Sequence, residues 1–135
     1  MRTSILQDER MSLIYYPANG WTVVEVNGEV EFCNAPRIRE AVIELLNEGH
    51  RHFVLDLRPA PFLDSMGLGM IVAITKRIRD HDGSLRLTCI DEHILKVFRT
   101  CDLRKAYAFH DSVDQATRQA PQRGALTGWP HHLST

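Results

Sequence analysis

Between residues 53 and 90 an almost continuously apolar run, FVLDL, is followed by a stretch that keeps Leu68, Ile71, Val72, Thr75 and Ile78 at helical spacing, and then by the alternating run SLRLTCI. The first predicts a central strand covered on at least one face and flanked by parallel neighbours. The second predicts a helix from about Ser65 to Ile78, stopped by DHDG at 80–83. Strand, helix and strand joined this closely leave one economical arrangement: parallel strands with a right-handed crossover.

The flanking sequence extends that unit. SLIYY (12–16) and WTVVEV (21–26) are β-rich and separated by PANG, which suits a hairpin turn. Asn34 is placed as an N-cap, with Pro36 in the first turn and Ile38, Ala41, Val42, Leu45 and Leu46 forming an amphipathic stripe that ends near Gly49. Asp91 can cap a third helix carrying Ile94, Leu95, Val97 and Phe98, KAYAF supplies a short edge strand, and a last helical segment starts near Ser112. The expected fold class is α/β, one domain with a small mixed sheet of four to five strands packed by about four helices. Residues 1–11 are expected as an N-terminal extension, 12–118 as the domain, and 119–135 as a flexible tail rich in Gly and Pro.

Composition narrows the functional classes. A length of 135 residues suits one self-supporting core, and 24% charged with 44% apolar residues is ordinary for a soluble protein. No apolar run approaches the roughly 20 residues of a membrane span, and the mixed-charge N-terminus lacks a secretory pattern, so a cytoplasmic protein is expected, without membrane insertion. The net charge of −1 offers no basic excess for nucleic acid. Cys33, Cys89 and Cys101 contain no CxxC pair and read as reduced core residues. His50 with His52, and His131 with His132, lack the companions of a metal site. GLG at 67–69 is too short for a nucleotide fingerprint, and Ser65 lacks a GxSxG context, so no cofactor and no catalytic residue is expected. Lys76, Arg77, Arg79 and Arg86 read as a solvated helix end with the strand that follows.

The stretch FLDSMGLGM (62–70) does not fit so simply. Ser65 stands where an N-cap belongs, yet Gly67 and Gly69 both fall at the helix start, and each glycine in a helix costs about 1 kcal/mol relative to alanine. Two explanations stand side by side: close approach of the helix to a strand end, or a bare backbone open to a partner or a phosphate. A hydroxyl at a helix N-terminus also suits phosphorylation, and a phosphate beside Asp64 would concentrate negative charge at one surface point. Of the nearby apolar residues, Leu68 fits the buried stripe, Met66 is expected to face a partner, and Met70 suits either role.

With GEVEFCNAPRIREAVIELL, FVLDL and FLDSMGLGMIVAITKRIRDHDGSLRLTCI in this order, the chain resembles the STAS domain of bacterial anti-sigma factor antagonists over roughly residues 12–118. The most specific likeness is the family's Asp-Ser-x-Gly-Leu signature, here Asp64, Ser65, Met66, Gly67 and Leu68, supported by GEV at 28–30 and GSLRL at 83–87. The resemblance implies a non-enzymatic protein that binds an anti-sigma factor, often also a serine kinase, and thereby frees a sigma factor. It further implies that phosphorylation in the signature breaks the complex and that a serine phosphatase restores it. The expected docking surface is Glu31, Asn34, Asp64, Ser65, Met66, Gly67, Leu68 and Met70, with Ser65 as the phosphorylated residue.

Two departures sharpen these expectations. In the family the acceptor is either the first position after the Asp or the next, and here the next is Met66, which has no hydroxyl. Either Ser65 is the switch, or the switch is lost and binding is constitutive. Glu31 replaces the family's usual Asp, keeping the charge on a longer arm. The competing expectation is a STAS module without phosphorylation, serving as an interaction or scaffold subunit of a lipid-transport or signalling complex.

Overall fold

FVLDL forms β4 (His52–Asp56), third from one edge of a six-stranded sheet in the computed structural model, which describes residues 1–122. Strand order in space follows chain order: β1 (Thr3–Gln7), β2 (Met11–Ala18), β3 (Trp21–Gly28), β4, β5 (Ser84–Thr88) and β6 (Ala108–His110). The first three strands pair antiparallel, and β3 through β6 pair parallel. Parallel neighbours need long connections. These are α1 (Ala35–Asn47), α2 (Ser65–Asp80) and α3 (Glu92–Thr100), and the short α4 (Val113–Ala116) follows the last strand.

The class is as expected, but the sheet has one strand more than four to five. The addition is β1, within the stretch expected as an extension; only Ile5 and Leu6 are apolar there, and its pairing with β2 shifts register between Ser4 and Leu6. Asp8 ties the β1–β2 turn by accepting from the N–H groups of Arg10 (2.9 Å) and Met11 (3.0 Å). The hairpin between β2 and β3 turns on Asn19 and Gly20, both at positive φ (52° and 86°), while Pro17 remains inside β2 opposite Thr22. Residues 123–135, with His131 and His132 and most of the expected tail, lie outside the described residues.

The sheet buries both faces unequally. Leu13, Val24, Phe53, Leu55 and Leu87 meet Ile38, Val42, Ile71, Ile74 and Phe98 of the three long helices. Each such side chain contributes about 1.5–3 kcal/mol by leaving water. On the other face Trp21, Val23 and Val54 are covered by Val113 and Ala116 of α4. This two-sided burial is why β4 has no polar alternation until Asp56, which is fully buried and held by two bonds from the Arg58 side chain (2.9 and 3.1 Å) and one from its backbone N–H (3.1 Å).

Several polar groups expected elsewhere are structural. Arg86 stacks 4.5 Å over the Trp21 ring and donates to the Ala116 carbonyl (2.7 Å), so it does not join Arg77 and Arg79 at the end of α2. His50 Nδ1 bonds Thr22 Oγ1 (2.7 Å) and His52 Nδ1 bonds Ser84 Oγ (2.8 Å). Of the cysteines only Cys89 is buried; Cys33 is half-buried and Cys101 is exposed because α3 ends there. Among the described residues no helix is long and apolar enough to cross a membrane.

Two histidines couple this fold to pH. Burial lowers the pKa of His52 from 6.5. Burial and the neighbouring Arg86 lower that of His110, against a smaller opposing pull from Asp111, and His110 Nε2 is buried without a hydrogen-bond partner among the described residues. Both folded-state values lie below the unfolded value, so the unfolded chain binds more protons, and stability is lost as pH falls through and below about 6.5. Urea denaturation followed from about pH 7.5 to about pH 5.5 should show this decline, and the double variant H52Q/H110Q should flatten it.

Candidate functional site

The loops after β3, β4 and β5 lie at one end of the sheet because those strands are parallel. Two of them are clasped together: Val30 donates to the Phe62 carbonyl (2.8 Å) and accepts from the Asp64 N–H (3.1 Å), forming an isolated bridge with Leu63. The clasp brings the start of α1 beside the start of α2.

Gly67 makes this approach feasible. A Cβ there would stand 2.2 Å from the Val30 carbonyl oxygen, so no side chain fits. At Gly69 a Cβ would meet nothing within 4 Å. The two explanations for glycine therefore divide between the two residues: Gly67 serves internal contact, and Gly69 leaves open surface.

The cap of α2 is Asp64, one residue before the expected position, with Oδ1 accepting from Gly67 N–H at 2.8 Å. Asp at this position extends into β geometry and reaches the third residue on, as a serine cap would. Ser65 is consequently the first helical residue, exposed, and its hydroxyl makes no hydrogen bond among the described residues. The backbone N–H groups of Ser65 and Met66 also lack an acceptor there, as the first donors of a helix do.

Asn34 is likewise not a side-chain cap. It is buried and turned back, donating Nδ2 to the Glu29 carbonyl (2.8 Å). Glu31 ties the loop ahead of α1: its Oε1 accepts from the N–H groups of Cys33 (3.1 Å) and Asn34 (2.9 Å), and the helix itself has no side-chain cap. The longer arm at position 31 is thus spent on its own loop.

A groove of about 320 Å3 runs between the N-terminal halves of α1 and α2. Phe32, Pro36 and Arg39 line one side, and Ser65, Met66 and Gly69 line the other, with Met70 buried at its base. A second, more polar depression of about 380 Å3 adjoins the same loop and is lined by Arg10, Glu29, Glu31 and Asn34. Of the expected docking residues, Ser65, Met66 and Met70 therefore share the groove, and Glu31 and Asn34 share the neighbouring depression. Gly67 and Leu68 are buried and lend no side chain to the surface.

Among the described residues the exposed large apolar side chains other than Met1 are Phe32 (63% exposed), Phe62, Met66 (61%) and Ile90. Each follows or begins an element at this same end of the sheet. Such clustering marks interaction surfaces. Sequence periodicity misses Phe32, Pro36 and Arg39 because it reports the buried stripe of α1; an aromatic residue beside Glu31, outside any strand, was the available signal. No group of three or more potential metal ligands occurs among the described residues.

A family model of the STAS domain matches residues 14–116. An anti-sigma-B factor antagonist of Bacillus subtilis is 30% identical over 81 residues, covering 60% of this chain and 73% of that protein. A Thermotoga maritima structure assigned as an anti-sigma factor antagonist superposes with a TM-score of 0.72 at 26% identity, covering 77% of this chain and 90% of that one. An anti-sigma factor antagonist from Mycobacterium paratuberculosis, at 20% identity and a TM-score of 0.70, shares the fold, with 84% of this chain and 100% of that chain covered.

The two glycines make opposite predictions. Gly69→Ala should raise stability by about 0.5–1 kcal/mol, since alanine is the better helix former and meets no atom. Gly67→Ala should lower it by at least about 2 kcal/mol through overlap with the Val30 carbonyl. Urea midpoints of the two purified variants check both.

Proposed function

The chain belongs to the STAS domain family, and from that premise we propose that it is an anti-sigma factor antagonist switched by phosphorylation of Ser65. It binds an anti-sigma factor through the Ser65 end of the domain and so frees a sigma factor in the cytoplasm. The anti-sigma factor is a serine kinase that phosphorylates Ser65, and a serine phosphatase reverses the modification. The protein acts by binding, not by turnover.

One observation carries the reading: Ser65 is the exposed first residue of α2, relieved of capping by Asp64, at the end of the sheet where Phe32, Phe62, Met66 and Ile90 are exposed. A phosphate on Ser65 would carry about −1.5 to −2 charge and meet the positive end of the helix and the unpaired N–H groups of the first turn. The domain would therefore stay folded. The added charge beside Asp64 would instead change what this apolar surface can receive. Because Met66 occupies the next position, Ser65 is the sole hydroxyl of the signature to accept phosphate.

Protein purified from its native cell should show a mass increase of about 80 Da, one phosphate, that maps to Ser65 and disappears with phosphatase. Ser65→Ala should bind the anti-sigma factor as the wild type does and resist release by ATP, whereas Ser65→Glu should bind roughly tenfold or more weakly. Normal ATP-driven release of Ser65→Ala would remove Ser65 from the mechanism. A single unmodified mass under all growth conditions, with stable binding to a transport or scaffold complex, would support the unphosphorylated interaction subunit instead.

A further inference from the structure

We infer that the α1–α2 groove receives a bulky apolar anchor side chain of the anti-sigma factor with a carboxylate about one helical turn away, and that Arg39 pairs with that carboxylate in the complex and with phosphate on Ser65 after release. The inference rests on the antagonist reading above and adds the chemistry of the docked segment.

The groove is small, about 320 Å3, at the lower end of ligand pockets, and opens between two helices. Its walls are Phe32, Pro36 and Met66, and its interior is open because Gly69 has no side chain to fill it. A hollow of this kind suits one buried anchor residue, the usual centre of a protein interface.

Its single cation is uncommitted. Arg39 is exposed and makes no hydrogen bond or ion pair among the described residues. The α1 residues three and four positions away, Ala35, Pro36, Val42 and Ile43, include no acid to hold it. Arg37, two residues earlier, is by contrast tied to Asp8 and Asn34. Arginine presents a planar fork that matches a carboxylate or a phosphate with two parallel hydrogen bonds. An apolar hollow with one free guanidinium at its side is thus complementary to an apolar residue followed by Asp or Glu on a docked helix.

Ser65 lines the same hollow as Arg39. A phosphate there carries more charge than a carboxylate and is held on the same chain, so it competes for the guanidinium at high effective concentration. It also places a hydrated dianion at the mouth of an apolar cavity. Release then needs no rearrangement of the domain: the anchor loses its dry site and the acid loses its partner in one event.

The test uses the anti-sigma factors of the source organism, purified singly, and isothermal titration of the full chain. Arg39→Glu and Gly69→Leu should each weaken binding by about tenfold or more. Glu44→Gln, on the opposite side of α1, should leave binding unchanged. Leucine at position 69 favours helix and its Cβ meets no atom, so a melting temperature no lower than wild type confirms that this variant folds. Reversing one acid of the partner to Arg should restore binding to Arg39→Glu. If the wild type binds and both variants bind equally well, the groove is overturned while the antagonist reading stands. If the wild type binds no anti-sigma factor, that reading falls and the groove falls with it. In the free chain carrying phosphoserine at position 65, phosphorus NMR should give a second phosphate pKa below the usual value of about 6, and Arg39→Gln should move it back up. Equal values in the two proteins would overturn the exchange of partners by Arg39.

Discussion

Val30 donates to the Phe62 carbonyl and accepts from the Asp64 N–H, and this two-bond clasp sets the geometry of the whole Ser65 end. The strands β3 and β4 are already paired through Glu25 and Asp56, but their ladder stops there. Without a further tie the loops beyond would diverge toward separate helices. The clasp restores pairing for one more step, and Gly67 lets the first turn of α2 rest on the carbonyl of Val30. Phe32 and Met66, far apart in the chain, become opposite walls of one groove as a result.

Capping follows the same economy. One carboxylate attends to each helix entrance: Glu31 holds the Cys33 and Asn34 N–H groups of the loop before α1, and Asp64 caps α2 itself. With the cap of α2 supplied by Asp64, the hydroxyl of Ser65 has no structural duty. A residue without such a duty can be modified without cost to the fold, which is the physical condition for a reversible switch on a rigid surface.

The βαβ core was legible because its signals are periodic and local. FVLDL, the stripe Leu68, Ile71 and Ile78, and the alternation after Ser84 each report burial directly. The extra strand β1 was not, since an exposed edge carries only Ile5 and Leu6 as apolar residues and depends on β2 for its pairing. At the site the sequence named Ser65, Met66 and the acids but misplaced the cap by one residue, because Asp and Ser adjacent to each other satisfy the same rule. It also could not assign Gly67 and Gly69 to different roles, as the distinction lies in the distance to Val30, a residue more than thirty positions away. Asn34 failed as a cap because burial turns its amide toward the Glu29 carbonyl, away from the first turn of α1, where Pro36 offers no N–H.

The vacancy at Gly69 separates two kinds of selection that usually act together. A Cβ there meets no atom of its own domain and a larger side chain would extend into the groove, so any molecule seated between α1 and α2 must respond to its size. Duplicated copies of such a domain in one cell could therefore diverge at this position, each acquiring a cavity of its own depth. Paralogous pathways would become insulated from one another through a residue that leaves every core contact unchanged.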